Sequence, residues 1–145
     1  MKKIFIGCDH GALELKNELF NYLKENHDIV DMGVFEERSV DYPDIALLVC
    51  SQVKSTENSC GILLCGTGIG ISIAANKIKG IRAALCHESY SARMSRAHNN
   101  ANVCVLGGRV TGPELAKDIA DTFLSTDFDG GRHAVRVEKI HALEK

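Results

Sequence analysis

The sequence contains no block of lysine and arginine residues, and its 145 residues carry a formal net charge of −2. An extended nucleic-acid surface or an electrostatic contact with an anionic membrane is therefore not expected. No apolar run is much longer than a β-strand, and the first residues, Met1 to Ile4, lack the apolar core of a signal peptide. We therefore expect a cytoplasmic protein that binds neither nucleic acid nor membranes. Any anionic ligand is expected to be small and locally bound.

Metal-binding cysteine motifs are also missing. The six cysteines include no Cys-x-x-Cys pair, and the interval between Cys60 and Cys65 is too wide for a short zinc knuckle. Most of the cysteines lie in apolar, strand-like runs without the spacing of a disulfide framework. All except Cys65 are therefore interpreted as small buried apolar side chains, and no structural metal is predicted.

Apolar runs of strand length alternate with segments of helical periodicity along the whole chain. The predicted strands are Lys3 to Cys8, Asp28 to Met32, Cys60 to Cys65, Ile81 to Cys86 and Val103 to Leu106. The predicted helices run from Leu13 to about Glu25, Pro43 to Val53, Ile69 through Ala74, Tyr90 to about Ala97, Pro113 to Leu124 and Arg132 to Glu144. Thr111 and Glu114 have the spacing of a capping box at the fifth helix.

This alternation predicts an α/β protein with a five-stranded parallel sheet covered by helices on both faces, because the strands are apolar on both sides. At 145 residues the chain fits one compact domain, residues 1–145. A domain of this size buries roughly 68–70% of the surface of its unfolded chain.

The most distinctive stretch lies between Cys60 and Lys77. An apolar strand ends at Cys65, a loop with glycine at Gly66, Gly68 and Gly70 follows, and helical spacing then resumes. Glycines permit positive φ angles, and the first N–H groups of the helix face any ligand bound there. The stretch therefore predicts an anion cradle, with the Cys65 thiol and the Thr67 hydroxyl at its edge to transfer protons.

A dinucleotide-binding fingerprint is the main alternative for this loop. Glu88 follows the glycine loop at about the sequence spacing expected of the acidic residue that binds a ribose hydroxyl. However, Ile71 stands where the third fingerprint glycine would be, and the loop follows the third strand rather than the first. No chain remains for a substrate domain. We therefore expect no nicotinamide or flavin cofactor.

Other polar residues also come directly after predicted strands, namely Asp9, His10, His87 and Arg109. The carboxyl ends of parallel strands meet at one edge of the sheet, so these residues are expected near Cys65 and Thr67. A thiol between a strand end and a helix start lies where its thiolate is stabilised. Cys65 is therefore a candidate nucleophile or general base.

Two further groups allow a structural and a functional interpretation. His98 and Asn99 end a helix, where a histidine commonly complements the helix dipole. Arg132 and Arg136 share one face of the last helix, beside His133. The two arginines would form either a solvated charged face or a fork that binds the oxygens of a phosphate. Arg109, which follows Gly107-Gly108, is a candidate third member of such a fork.

Taken together, these stretches resemble the type B ribose 5-phosphate isomerases and their relatives that act on galactose 6-phosphate or allose 6-phosphate. The seven matching stretches occur in order over nearly the whole chain, and together they are highly specific. They are Cys8-Asp9-His10-Gly11, Asp41-Tyr42-Pro43, Cys65 to Lys77, Ile81-Arg82-Ala83, Ser95-Arg96-Ala97-His98-Asn99, Gly107-Gly108-Arg109 and Gly130-Gly131-Arg132-His133.

The resemblance implies a Rossmann-like three-layer fold and a homodimer or dimer of dimers with active sites shared across the interface. The C-terminal helix, from about 131 to 144, is expected to pack on the partner subunit. The implied reaction is the interconversion of D-ribose 5-phosphate and D-ribulose 5-phosphate, a step of the pentose phosphate pathway. It proceeds through a cis-enediolate without a metal or other cofactor.

The resemblance also implies a role for each site residue. Cys65 is the base that moves the proton between C2 and C1, and His98 helps to open the furanose ring. Thr67 assists proton transfer at the hydroxyls, while Asp9 holds and polarises them. The N–H groups from Gly66 to Gly70 receive the enediolate oxygen, with Asn99 nearby. The phosphate is expected at His10, Arg109, Arg132 and Arg136, and Tyr42 and His133 line the pocket.

Members of the family differ in their catalytic base. Some carry a cysteine at the Cys65 position, whereas others lack it and have a glutamate at the Ile71 position. The chain therefore resembles the cysteine branch. Two alternatives remain open at this point: an isomerase of a six-carbon sugar phosphate, and a non-catalytic sugar-phosphate sensor that needs the arginines but not Cys65.

Overall fold

The computed structural model describes residues 2–145, which form a five-stranded parallel sheet with helices on both faces. The strands are β1 (Lys3–Cys8), β2 (Ile29–Asp31), β3 (Ser59–Cys65), β4 (Ala83–Leu85) and β5 (Val103–Gly107). Their order across the sheet is β2-β1-β3-β5-β4. The parallel α/β architecture predicted from the alternating pattern is confirmed.

Six α-helices connect the strands and cover the sheet. They are α1 (Leu13–Leu23), α2 (Tyr42–Ser55), α3 (Ile69–Asn76), α4 (Ser89–Ala97), α5 (Pro113–Ser125) and α6 (Arg132–His141), and a 3-10 turn (His10–Ala12) precedes α1. Helices α2 and α3 pack together on one face, and α5 packs with α1 and α4 on the other. None of the helices in residues 2–145 combines the length and the apolar character that crossing a bilayer requires.

The core follows from strands that are apolar on both faces. Every residue of β5 and all but the first of β1 and β3 are buried. Since β1 pairs with β2 on one side and with β3 on the other, the chain turns in opposite directions after these two central strands. In such sheets ligands bind beyond the carboxyl ends of the strands at this switch point. The loops after β1 and β3 therefore mark the expected ligand site.

The capping box predicted for α5 is wrong. The N-cap residue is Gly112, and no side chain caps this helix. Thr111 lies one position too early, because its N–H donates to the Gly107 carbonyl oxygen at 2.9 Å in the turn after β5, and its side chain is buried. The predicted proline in the first turn, Pro113, is present.

Candidate active site

The glycine loop after β3 has a geometry that only glycine accommodates at its centre. Gly68 has φ +81°, and a Cβ atom there would lie 2.6 Å from Leu85 Cδ1 and 3.0 Å from the Leu106 carbonyl carbon. The Gly68 N–H donates to Cys65 Sγ at 3.2 Å, and the Ile69 N–H donates to Thr67 Oγ1 at 3.2 Å. The loop thus fixes the thiol and the hydroxyl at the start of α3.

Two further N–H groups of this loop are available to a ligand. Within residues 2–145, neither the Gly66 N–H nor the Thr67 N–H donates a hydrogen bond. Unpaired N–H groups beside a helix N-terminus stabilise negative charge on a bound oxygen. The predicted anion cradle therefore has its donors in place next to the Cys65 sulfur.

The side chains around the glycine loop come from three other segments. A Cβ at Gly66 would lie 3.1 Å from Arg109 Nη1, and one at Gly70 would lie 2.6 Å from Tyr42 Cζ. Arg109 and Tyr42 therefore lie directly on the loop. We call this group the loop cluster; it comprises Asp9, His10, Tyr42, Cys65, Gly66, Thr67, Gly68, Gly70 and Arg109.

Asp9 and His10 join the loop cluster through the turn after β1. The buried Asp9 carboxylate accepts from the Gly11 N–H at 2.9 Å. A Cβ at Gly11 would lie 3.1 Å from the Gly66 nitrogen, so this turn lies against the glycine loop. His10 Nδ1 accepts from the Val40 N–H at 3.3 Å, which connects it to the segment that leads into Tyr42. The sequence-predicted residues after β1 and β3 are thus brought together.

A second group of predicted residues lies where α4 ends and α6 begins. The His98 and His133 rings stack with centroids 4.1 Å apart and an interplanar angle of 9°. Arg132 and Arg136 lie on the same helix as His133, and Asn99 follows His98. We call these residues, together with Asp129, the histidine cluster.

The electrostatic setting of this cluster is cationic. Partial burial lowers the pKa of His133 below its ordinary value, and the charges of His98, Arg132 and Arg136 lower it further, whereas Asp129 opposes the shift. The positive charges of Arg132 and Arg136 suit a site that binds a phosphate.

Within one chain, the two clusters are not linked by a direct polar or ring contact. Across residues 2–145, no hydrogen bond, ion pair or ring contact joins the loop cluster to the histidine cluster. Arg109 in particular lies on Gly66 and makes no such contact with Arg132 or Arg136. His87, which follows the edge strand β4, has no such contact with the loop cluster either.

Asp129 is a residue of this region that sequence reasoning missed. It lies in the Gly-rich segment before α6, and its N–H donates to the Ala97 carbonyl oxygen at 2.9 Å. The only signal in the sequence is its position one residue before Gly130-Gly131. Without the stack of His133 on His98, that position does not indicate proximity to His98.

The other cysteines have the structural role predicted for them. All six cysteines are free and buried. Burial raises the pKa of Cys8 and Cys60 to about 11 and that of Cys50 to about 12, so these three remain thiols at neutral pH. Cys65 differs from them in its position at the glycine loop.

Comparison with known proteins identifies relatives over the full length of the chain. The profile of the Ribose/Galactose Isomerase family matches residues 4–140. Ribose-5-phosphate isomerase B of Escherichia coli is 50% identical over 146 residues, covering 100% of this chain and 98% of the relative. D-erythrulose-4-phosphate isomerase of Pectobacterium atrosepticum is 46% identical over 146 residues, covering 99% of this chain and 96% of the relative.

A solved structure agrees with these sequence relationships. Ribose-5-phosphate isomerase B of Clostridium thermocellum superposes with a TM-score of 0.95 at 56% identity, covering 97% of this chain and 96% of that chain. The family profile spans the loop cluster and most of α6, so the match includes both groups of predicted site residues. The chain belongs to the ribose/galactose isomerase family.

Proposed function

We propose that this protein is an aldose–ketose isomerase that interconverts D-ribose 5-phosphate and D-ribulose 5-phosphate through a cis-enediolate. The observation that carries the proposal is the Cys65 thiol beside unpaired N–H groups of the glycine loop. A proton on carbon next to a carbonyl is weakly acidic, so a modest base is sufficient only if the developing oxyanion is stabilised in a preorganised site. The loop supplies both the base and the oxyanion donors.

In this proposal the loop cluster performs the proton transfer. Cys65 moves the proton between C2 and C1, and the N–H groups from Gly66 to Gly70 bind the enediolate oxygen. Thr67 assists proton transfer at the hydroxyls. Asp9 holds and polarises the hydroxyls, since its carboxylate is already oriented by the Gly11 N–H. No metal or cofactor takes part.

The histidine cluster supplies ring opening and phosphate binding. His98 acts on the furanose ring, and Asn99 lies beside the reacting oxygens. Arg132 and Arg136 bind the phosphate together with His10 and Arg109 of the loop cluster, because guanidinium groups hold phosphate oxygens in bidentate pairs. Tyr42 and His133 line the pocket between the two groups.

The lack of a direct contact between the two clusters within residues 2–145 of one chain supports an active site shared between subunits. We infer a homodimer, or a dimer of dimers, in which the loop cluster of one protomer faces the histidine cluster of its partner. Exposed apolar side chains on the last helix and just beyond it support its packing on the partner subunit; they are Val135, Ile140 and Leu143. Residues 1–145 act as one domain of this assembly, in the cytoplasm, where six unpaired thiols are chemically stable.

The proposed reaction has a direct test by proton NMR in deuterated water. Purified, chelator-treated protein is incubated with D-ribose 5-phosphate, and the expected result is D-ribulose 5-phosphate with solvent deuterium incorporated during turnover. Exchange of the transferred proton is the signature of an enediolate, because the base equilibrates with solvent between its two proton transfers. No turnover and no exchange would remove the proposal.

Substrate length is the second variable in this test. The Pectobacterium relative is named for a four-carbon sugar phosphate, whereas the Escherichia coli relative is named for ribose 5-phosphate. The phosphate and enediolate groups described above do not select a chain length. The same NMR assay with D-erythrulose 4-phosphate, allose 6-phosphate and galactose 6-phosphate separates these cases, and we expect the largest kcat/KM with ribose 5-phosphate.

Replacing Arg132 or Arg136 by alanine is expected to lower kcat/KM for ribose 5-phosphate by about 10- to 150-fold, which corresponds to the loss of a charge-assisted hydrogen bond worth about 1.5–3 kcal/mol. Activity on unphosphorylated D-ribose, where present, should change little. Steady-state kinetics with both sugars measures this contrast.

The matched control is Arg93→Ala, because Arg93 lies on α4 with its guanidinium 5.3 Å from the Tyr90 ring and outside both clusters. That variant should retain kcat/KM. An equal loss for phosphorylated and unphosphorylated sugars in Arg132→Ala and Arg136→Ala would exclude phosphate binding as the role of these arginines.

A further inference from the structure

The histidine cluster contains three side chains whose donor atoms are close enough to share one metal ion. One ring nitrogen of His98, one of His133 and a carboxylate oxygen of Asp129 all lie within 4.8 Å of one another. The two histidines have assigned roles in the proposed reaction, but Asp129 has none. An acidic residue beside two stacked imidazoles therefore calls for its own explanation.

We propose that His98, Asp129 and His133 form a binding site for a divalent transition-metal ion such as Zn²⁺, and that the bound ion inhibits the enzyme. Two imidazole nitrogens and one carboxylate oxygen are a donor set that zinc commonly takes in proteins, with a fourth position left for water. The expected inhibition rests on the proposed function, because a zinc ion bound to His98 prevents this histidine from acting on the furanose ring of the substrate.

For one zinc ion to bind all three residues, their side chains must move so that the three donor atoms come closer together. A tetrahedral zinc ion with bonds of 2.0–2.1 Å needs donors about 3.3 Å apart. The two rings lie within 9° of parallel, so their nitrogen lone pairs lie in two parallel planes and cannot both point at one ion. One imidazole must therefore turn out of the stack to converge on the ion. Asp129 is exposed, which leaves its carboxylate free to follow.

The main chain already holds the three residues together. The Asp129 N–H donates to the Ala97 carbonyl oxygen at 2.9 Å, which ties the loop to the residue before His98. The His133 N–H donates to the Gly130 carbonyl oxygen at 3.1 Å. Gly130 and Gly131 have φ values of +68° and +58°, a conformation that other residues adopt with strain. These two main-chain hydrogen bonds keep the loop before α6 beside the residue that precedes His98.

The charges nearby predict a reversible rather than a permanent metal site. Arg132 and Arg136 are close enough to act electrostatically on His133, and they oppose a dication. The Asp129 carboxylate offsets part of this repulsion. Since one carboxylate does not neutralise two guanidinium groups, we expect zinc to be removed by a chelator and to compete with the substrate phosphate.

Zinc binding is measured by isothermal titration calorimetry on the chelator-treated protein, with no substrate present. We expect one Zn²⁺ per chain and at least about tenfold weaker binding for Asp129→Asn, since even loss of an outer-shell partner weakens metal binding by about 10- to 100-fold. Asp127→Asn is the matched control in the same segment and should bind zinc as the wild type does. His133→Gln should lose binding as Asp129→Asn does.

Cys65→Ala distinguishes this site from zinc bound at the glycine loop. It should bind zinc with unchanged affinity, and Co²⁺ bound to the wild type should show no thiolate-to-metal charge-transfer band. Loss of zinc binding in Cys65→Ala would overturn the proposal, as would the absence of binding in the wild type or equal affinities for wild type and Asp129→Asn.

Inhibition is measured as the ratio of isomerase activity with and without zinc for each variant. We expect a chelator-reversible loss in the wild type and in Asp127→Asn, and a much smaller loss in Asp129→Asn. Zinc that binds at the cluster but leaves turnover unchanged would overturn the inhibitory half of the proposal. Because calorimetry does not depend on turnover, failure of the proposed isomerase function would leave the binding result interpretable.

Discussion

Cys65→Ala is expected to reduce kcat for ribose 5-phosphate by about 10²- to 10⁴-fold, the range that a positioned general base contributes. Substrate affinity should change only a few-fold, because Cys65 is not one of the proposed phosphate-binding residues. Ile71, on the helix that follows the glycine loop, is apolar and buried, so it offers no replacement base. Steady-state kinetics gives kcat, and calorimetry with ribose 5-phosphate gives the affinity.

The matched control for this variant is Cys50→Ala. Cys50 is also a buried thiol, but it lies on α2 and outside both clusters. It should lose some stability through the cavity that it leaves, while the folded protein keeps its kcat. Full activity in Cys65→Ala would mean that another group removes the proton. Loss of ribose 5-phosphate binding in that variant would point instead to a structural role for the thiol.

The sheet could be predicted from sequence because its signals are local. Strands buried on both faces appear as continuous apolar runs, and β1, β3 and β5 are buried almost from end to end. The glycine residues after Cys65 mark the end of β3, and a proline in the first turn marks the start of α2 and of α5. The predicted order of strands and helices was therefore confirmed, with differences of a few residues at the ends.

Lys16 illustrates what could not be predicted. It follows Leu15 on α1, where a lysine ordinarily indicates the solvated side of a helix, yet its side chain is fully buried. Its Nζ lies 2.7 Å from Asp31 Oδ2 and 5.1 Å from the centre of the Phe35 ring. The Gly33 N–H donates to the same carboxylate at 2.9 Å. These partners are 15 to 19 positions away in the sequence, so no helical periodicity reveals them.

In the candidate site, too, some residue positions could be predicted from local sequence, whereas others depend on tertiary packing. The positions of Asp9, Cys65 and Arg109 followed from a rule about strand ends, and the structure places them around one loop. The stack of His98 on His133 brings the start of α6 to the end of α4. No sequence pattern links these two segments, so this stack became visible only in the structure.

If the active site is shared between subunits, mixing two inactive variants is expected to restore isomerase activity. Cys65→Ala damages only the loop cluster, and His98→Gln damages only the histidine cluster. If each site combines the loop cluster of one protomer with the histidine cluster of its partner, a mixed dimer contains one intact site. Random reassembly of the two variants should then restore about a quarter of wild-type activity, since half of the dimers are mixed and each has one of two sites.

The reverse experiment uses the double variant, Cys65→Ala with His98→Gln, reassembled with an equal amount of wild type. In a mixed dimer with shared sites, each site takes one damaged cluster from the double variant, so both sites are inactive and only wild-type dimers contribute. Activity should fall to about a quarter of that of wild type at the same total concentration. Sites contained within single chains would instead retain about half. They would also leave the first mixture inactive, so the two experiments together decide where the histidine cluster acts.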